Sequence, residues 1–167
     1  MGIGQHIHKT TILLSIFTKK PLATLRKLLE QNGFERIPLK KLKTGHYKLN
    51  VRVNSVLGYF ILDTGASTSC IGILEATYFN LISEKSEIKA AGAGAIDMET
   101  LATKSNSLEI GNICLSNYEF VLFDLIHVNQ ALEQVGETPV HGILGADILK
   151  KLHAVIDYGR NCVYLKK

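Results

Sequence analysis

The sequence predicts a mainly β domain preceded by a basic extension that contains one helix. Three observations support this fold class. Short apolar stretches alternate with polar residues, turn signals rich in Gly and Asn separate those stretches, and positive charge is concentrated near the N-terminus. The chain has 167 residues, of which 46% are hydrophobic and 20% charged, and such a composition is typical of a folded protein. The length suits one domain of roughly 100–150 residues plus an extension.

The predicted boundary lies between residues 44 and 45, with the extension at 1–44 and the β domain at 45–167. Pro21 opens a predicted helix over 21–32, and Gly33 is placed to end it. The Lys40–Gly45 stretch is interpreted as a linker.

Charge is divided unevenly along the chain. Residues 1–48 contain ten Lys or Arg and two Asp or Glu, whereas residues 49–167 contain nine and thirteen. A solvated face is the simplest interpretation of the basic part, and contact with anionic lipid or with the acidic body of the chain stays open. Aromatic residues do not alternate with the cations, so we expect no nucleic-acid partner.

Two features indicate a cytoplasmic location. Cys70, Cys114 and Cys162 are odd in number and include no CxxC pair, which favours three small buried thiols over disulfides or a structural zinc site. The apolar run Ile12–Phe17 is far shorter than the about 20 residues of a spanning helix, so no membrane span is expected. The run still leaves export or membrane association open.

From His46 onward the hydrophobic period becomes that of β-strands. Tyr47–Val53 alternates apolar and polar residues, Asn54-Ser55 marks a turn, and the apolar stretch Tyr59–Leu62 follows. A short helix is predicted at 146–152. Further strands are predicted at Leu108–Ile110, Ile113–Leu115, Tyr118–Leu125, Val140–Leu144, Ala154–Asp157 and Cys162–Leu165.

An acid follows the second predicted strand directly. The stretch Phe60-Ile61-Leu62-Asp63-Thr64-Gly65-Ala66-Ser67 is an apolar strand that leads into a turn of small residues. Asp-Thr-Gly alone is weakly specific. Two later features strengthen it, namely a small-residue hairpin tip at Ala91–Gly94 and the triplet Ile143-Leu144-Gly145 before the C-terminal helix.

This order of motifs resembles the retropepsin-like aspartic peptidases, a group of retroviral proteases, retrotransposon relatives and bacterial single-lobe homologues. The resemblance covers roughly His46 to Leu165 and favours the bacterial type. It implies one lobe per chain, a closed, barrel-like β fold with a flap hairpin, and one short C-terminal helix. It also implies an endopeptidase that acts on extended peptides or proteins without a cofactor or metal.

Peptide hydrolysis by carboxylates needs two of them around one water molecule. One acts as a base toward the water, and the other stays protonated to polarise the carbonyl. Two carboxylates about 3 Å apart cannot both ionise, so they share a proton. The chain contains one Asp-Thr-Gly and is too short for two lobes. We therefore expect a homodimer that places two copies of Asp63 at its two-fold axis.

The resemblance implies roles for the neighbours of Asp63. Thr64 would brace its turn against the partner's turn, and Gly65 would let the two backbones approach. Support of the catalytic loop is expected from Thr64, Gly65, Ile143, Leu144 and Gly145. Substrate contacts are expected from Gly65, Ala66 and Ser67, and from Gly92, Ala93 and Gly94 as the flap tip.

The sequence departs from the retroviral pattern at one paired feature. Retroviral members usually have an Arg after the glycine that matches Gly145, paired with an acid shortly after the catalytic turn. Ala146 occupies the first position, and Ser67–Cys70 offers no acid for the second. That brace is therefore expected to be missing.

Two other classes of function stay open. A fold relative could dimerise or bind peptides without cutting, although an intact Asp-Thr-Gly argues against this. A metal hydrolase could combine Asp63 with His141 or His153, but the histidines have no HExxH or comparable spacing.

Overall fold

The computed structural model describes residues 24–85, 90–92, 95–98 and 101–167, which form a mainly β fold. Three α-helices lie at Leu25–Gln31 (α1), Ile126–Gln134 (α2) and Ala146–Lys151 (α3). The strands are Glu35–Pro38 (β1), Lys40–Lys41 (β2), Tyr47–Val53 (β3), Val56–Leu62 (β4), Cys70–Gly72 (β5), Ser83–Lys85 (β6), Ala90–Gly92 (β7), Ala95–Met98 (β8), Leu101–Ile110 (β9), Ile113–Phe123 (β10), Gly142–Leu144 (β11), Val155–Asp157 (β12) and Cys162–Leu165 (β13).

Six strands close into a barrel. The largest sheet runs in the order β2-β3-β4-β11-β5-β10-β9-β6, and β3 pairs with β9 as well as with β4. This second pairing joins the sheet to itself and encloses the main hydrophobic core, which includes Val53, Phe60, Ile71, Leu108 and Leu144. The predicted mainly β fold class is confirmed.

The hairpin of β3 and β4 follows from its sequence. Leu49, Val51 and Val53 are buried, whereas Asn50 and Arg52 between them are exposed. Asn54 and Ser55 connect the strands with φ of 48° and 67°. Positive φ at both residues is the geometry of a two-residue turn that matches strand twist. The predicted strand and its turn are confirmed.

Strand β11 occupies the gap between β4 and β5. It runs parallel to β4, with Ile143 beside Ile61 and Leu144 beside Leu62, and antiparallel to β5. The strands β4 and β11 therefore end side by side. Asp63 and Gly145, the residues that follow them, become neighbours although 82 positions separate them in sequence.

A second sheet has three strands in the order β1-β13-β12. Its central strand β13 pairs Val163 with Ile37 on one side and with Ile156 on the other. The other edge of β12 has no partner strand within the described residues. Lys40–Gly45, interpreted above as a linker, contains β2, which pairs with β3. Sequence could not show this, because two-residue strands carry too little pattern.

The N-terminal region is described from Thr24. Thr24 caps α1 by accepting the Lys27 N–H at 3.3 Å, and no residue of α1 is buried. The predicted helix over 21–32 agrees with α1 where the structure describes it, and residues 21–23 lie outside. The division of domains at residue 44 stays a prediction. Within the described residues, no helix is long and apolar enough to cross a membrane.

We expect Gly142→Ala to lower the free energy of unfolding by about 1–3 kcal/mol, the usual effect of overpacking. Gly142 is buried in β11, and a Cβ there would lie 2.5 Å from the carbonyl oxygen of Cys70. Urea unfolding followed by circular dichroism measures the change. Gly159→Ala is the control, because its Cβ would lie 3.4 Å from the nearest atom, Asp157 Oδ1. Equal stability of the two variants would contradict the close packing of β11.

Candidate active site

Asp63 is held by backbone hydrogen bonds at the end of β4. Its N–H donates to the carbonyl oxygen of Leu144 at 3.0 Å, which continues the β4–β11 pairing one residue into the turn. The Gly65 N–H donates to Asp63 Oδ1 at 2.8 Å, and the Ala66 N–H donates to the Asp63 carbonyl at 3.4 Å. The carboxylate is half-buried, while Thr64 and Gly65 are exposed. The turn therefore presents an oriented carboxylate at the molecular surface.

Gly145 lets the start of α3 pass close to the turn. A Cβ at this position would lie 2.7 Å from the Ala66 carbonyl oxygen and 2.9 Å from the Thr68 carbonyl carbon. The next residue, Ala146, donates its N–H to the same Ala66 oxygen at 2.7 Å. A side chain at position 145 would push α3 away and break this bond, so Gly145 is needed for the geometry of the turn.

The Asp147 carboxylate ties three parts of the site together. Oδ1 accepts the Ser69 hydroxyl at 2.7 Å and the Ile148 N–H at 2.8 Å. Oδ2 accepts the Ser69 N–H at 3.0 Å and the Tyr118 hydroxyl at 2.6 Å. Ser69 Oγ in turn accepts the Gly145 N–H at 2.9 Å. The loop after the Asp63 turn, strand β10 and helix α3 are thus joined through one side chain.

These bonds determine the ionisation of Asp147. Burial disfavours the charged form, but the hydrogen bonds from Ser69, Tyr118 and Ile148 outweigh it and hold the pKa of Asp147 below its usual value. Burial, followed by the bond to Asp147, raises the pKa of the Tyr118 hydroxyl. The network therefore contains the Asp147 carboxylate, which accepts hydrogen bonds, and the Tyr118 hydroxyl, which donates one.

Asp147 was missed by reasoning from sequence. The expected loss of the Arg–acid brace is consistent with Ala146 and Ser67, but another brace exists between Asp147 and Ser69. A signal was present, since an acid in the first turn of a helix after a glycine can cap it and reach back to the preceding loop. The pairing with Ser69 is invisible in sequence because 78 positions separate the two residues.

The other predicted site residues differ in how deeply they are buried. Leu144 is buried, and Ile143 is partly buried against the smaller apolar clusters that include Ile61 and Val121. Ser67 is exposed and Ala66 half-buried. Gly92 ends β7, which pairs with β8 through Ala90 opposite Met98 and Gly92 opposite Ala95. Ala93 and Gly94 of the predicted flap tip lie outside the described residues.

The histidines and cysteines occupy separate positions. His141 Nδ1 accepts the Tyr59 N–H at 3.0 Å, beside the middle of β4. The described residues include no group of three His, Cys, Asp or Glu able to hold a metal. Cys70 and Cys162 are buried as predicted, but Cys114 is exposed, because its strand position points away from the barrel.

Comparisons with known proteins agree with this geometry. A family model described as aspartyl protease matches residues 49–148. A retropepsin-like aspartic protease from Rickettsia conorii superposes with a TM-score of 0.55 and 19% identity, over 79% of this chain and 91% of that chain. The EIAV protease complexed with the inhibitor HBY-793 gives 0.50 and 22%, over 66% of this chain and 90% of that chain. The shared fold is retropepsin-like. No curated protein sequence matches.

We expect Asp147→Asn to lower the free energy of unfolding by about 2–3 kcal/mol at neutral pH, because it weakens four hydrogen bonds to a charged group. Urea unfolding at pH 7 measures this. Asp124→Asn is the matched control, since Asp124 is exposed and the amide keeps the oxygen that caps α2 by accepting the Ile126 N–H.

The same variant should differ from the wild type in its response to acid. Because the pKa of Asp147 is lowered on folding, its contribution is complete above the ordinary value of 3.8 and is lost as pH falls below it. Wild-type stability should therefore fall more steeply between about pH 4 and pH 2 than that of Asp147→Asn. Parallel pH dependences would contradict the role of this carboxylate.

Proposed function

Because the chain belongs to the aspartyl protease family, we propose that it is an endopeptidase whose catalytic pair is Asp63 from each protomer of a homodimer. The observation that carries the proposal is the oriented Asp63 carboxylate in its Asp-Thr-Gly turn. The acid directly follows β4, which pairs in parallel with β11, and this strand pair belongs to a retropepsin-like fold.

In the proposed reaction, one water molecule lies between the two Asp63 carboxyl groups, which share one proton. The ionised carboxylate takes a proton from the water as it attacks the peptide carbonyl carbon. The protonated carboxyl group donates a hydrogen bond to the carbonyl oxygen and then its proton. The tetrahedral intermediate collapses when the carboxyl group that took the water proton passes it to the amide nitrogen and the C–N bond breaks, while the other carboxylate takes a proton back from one hydroxyl of the intermediate. The two carboxyl groups titrate as a pair, so activity requires their singly protonated form.

A single chain supplies half of this arrangement. Asp147, the acid whose contacts reach the loop after the turn, already accepts four hydrogen bonds, so it does not serve as the second catalytic acid. The Asp63 carboxylate faces the surface between exposed Thr64 and Gly65. A two-fold dimer would bring a second Asp63 to this surface and complete the pair.

The surface next to the turn is suited to such a dimer. A cavity of about 300 Å³ is lined by Thr64 of the turn and by Leu149, Ala154 and Ile156, which belong to α3 and the segment that forms β12. The outer edge of β12 is open within the described residues. An open edge can pair with a second copy of itself. Pairing of β12 across a two-fold axis would extend the small sheet and place Thr64 close to the axis.

Roles for the surrounding residues complete the proposal. Thr64 and Gly65 contact the partner turn, while Ile143, Leu144 and Gly145 support it from below. An extended substrate lies along Gly65, Ala66 and Ser67, and its main chain pairs as an added strand. In this proposal the β7–β8 pair covers the substrate from the other side, and Gly92, Ala93 and Gly94 are the residues expected to contact it. The pairing of β7 with β8 supports the hairpin part of this assignment.

We expect Asp63→Asn to abolish peptide cleavage, by at least about a thousandfold, because the neutral amide cannot act as a base. The variant keeps the acceptor oxygen for the Gly65 N–H, so the fold should be retained. Cleavage of a fluorogenic peptide library between pH 3 and 7 measures the activity.

Asp124→Asn serves as the matched control and should retain wild-type activity, because Asp124 lies in the connection before α2. Wild-type protein that forms dimers but cleaves nothing and binds no pepstatin-type inhibitor would favour the non-catalytic alternative. Persistent cleavage by Asp63→Asn would remove Asp63 from the mechanism.

We expect specific activity to fall on dilution, because each active site needs two chains. Activity per mole measured across a thousandfold dilution series should parallel the dimer fraction from analytical ultracentrifugation. Excess Asp63→Asn chains should suppress wild-type activity by forming heterodimers.

A variant at the proposed interface distinguishes an active site shared by two chains from an active site formed by one chain. Ile156→Lys should shift the dilution curve to higher concentration, whereas Ile126→Lys on exposed α2 should not. Activity that is constant per mole, even where the protein is monomeric, would overturn the shared site.

A further inference from the structure

A second cavity lies on the outer face of β3 and β4, beside the middle of β4. Its volume is about 500 Å³, within the range of small-molecule sites. It is lined by Lys40, Lys48, Asn50, Tyr59, Thr138, Pro139 and His141, a set with two lysines and no carboxylate. The cavity is distinct from the Asp63 turn, because Asp63, Thr64 and Gly65 do not line it.

Lys48 is the unusual residue of this cavity. Only 7% of its surface is exposed, although lysine is almost never buried unless it is paired. Its Nζ donates to the neutral Thr138 Oγ1 at 2.8 Å and lies 5.1 Å from the centre of the Tyr59 ring. No described carboxylate lies within 4 Å of it. Burial and the nearby Lys40 charge lower the pKa of Lys48, and Glu137 opposes them.

The fold explains why this lysine is enclosed. The outer face of β3 and β4, on which Lys48 lies, is covered by the segment that leads from α2 to β11. Ile61 on that face is buried against Leu132 of α2 and Val140 of this segment. Lys48 therefore lies beneath Thr138 with its ammonium group directed at the cavity wall that Tyr59 forms.

The neighbouring charges leave an excess of positive charge. Lys40 lies opposite Lys48 in the pairing of β2 with β3. Among the described residues, the acid that contacts this group of lysines is Glu137, which is 3.9 Å from Lys40 Nζ and also accepts the Lys43 N–H at 3.0 Å. Two ammonium groups thus share one carboxylate that is already bonded to the backbone. A desolvated cation without a paired anion costs stability, and a bound anion would offset that cost.

The remaining lining residues add hydrogen-bond donors and a planar aromatic surface. Because His141 Nδ1 accepts the Tyr59 N–H, the neutral ring carries its proton on Nε2. Asn50 is exposed at the cavity and offers an amide. The Tyr59 and His141 rings lie 5.6 Å apart and form an aromatic wall. Cations, neutral donors and aromatic rings together suit a phosphate group, alone or attached to a planar base.

We propose that this cavity binds a small phosphate-bearing anion, with Lys48 and Lys40 as its cationic contacts. The proposal concerns binding and is independent of proteolysis. Lysine binds phosphate as a point charge through charge-assisted hydrogen bonds, so loss of either lysine should weaken binding by about tenfold or more.

The test is titration calorimetry of the full chain with inorganic phosphate and, separately, with ATP. Chloride keeps the ionic strength constant, because a chain of formal charge +4 attracts anions non-specifically. Lys48→Met retains the length of the buried side chain. Lys40→Met changes an exposed residue, so this variant should fold even if Lys48→Met does not. Lys27→Met on exposed α1 is the matched control for charge.

The proposal is supported if phosphate binding is saturable, is retained by Lys27→Met and is weakened about tenfold in Lys48→Met and Lys40→Met. This result would also assign the site to the phosphate group itself. The same pattern with ATP alone also supports it and shows that the rings contribute. Two results would overturn it: no saturable binding of either ligand up to millimolar concentration, or equal weakening by Lys27→Met and Lys48→Met.

Discussion

The position of β11 between β4 and β5 is the constraint on which the rest of the structure depends. A parallel pair has to be connected through a long crossover, and here the chain from β4 to β11 includes the barrel strands β5, β9 and β10. The bond from the Asp63 N–H to the Leu144 oxygen extends the pairing into the turn. The barrel therefore determines where Asp63 lies, and the carboxylate inherits the rigidity of the core beneath it.

The Asp147 network shows how this arrangement is kept in place without the brace of retroviral proteases. A buried carboxylate is costly unless its oxygens are bonded, and here each oxygen accepts two hydrogen bonds. Ser69 donates hydrogen bonds to Asp147 and accepts one from the Gly145 N–H, so it connects Asp147 to the end of β11 beside Asp63. A neutral serine and a single charge thus provide bracing here, where the sequence predicted that the Arg–acid pair of retroviral members is missing.

The same fold leaves two features that one chain does not use by itself. The Asp63 turn is exposed next to β12, whose outer edge is open within the described residues. The surface at which the proposed dimer needs a second carboxylate is therefore also a surface able to pair with another copy. On the outer face of β3, Lys48 is enclosed, and no described carboxylate lies within 4 Å of its ammonium group. Exposed polar edges and unpaired buried charges are both unfavourable in isolation, and each is resolved by a partner of complementary chemistry.

The sequence by itself determined the local features of this protein. Alternation predicted β3, positive-φ residues fitted its turn at Asn54-Ser55, and the Asp-Thr-Gly motif with Ile143-Leu144-Gly145 indicated the family. These signals are readable because strand period, turn chemistry and motif spacing each involve residues close together in sequence. Closure of the barrel, the Asp147–Ser69 brace and the enclosure of Lys48 were decided by tertiary structure. Each of them depends on contacts between residues that lie far apart along the chain, and a single sequence does not indicate which distant residues are in contact.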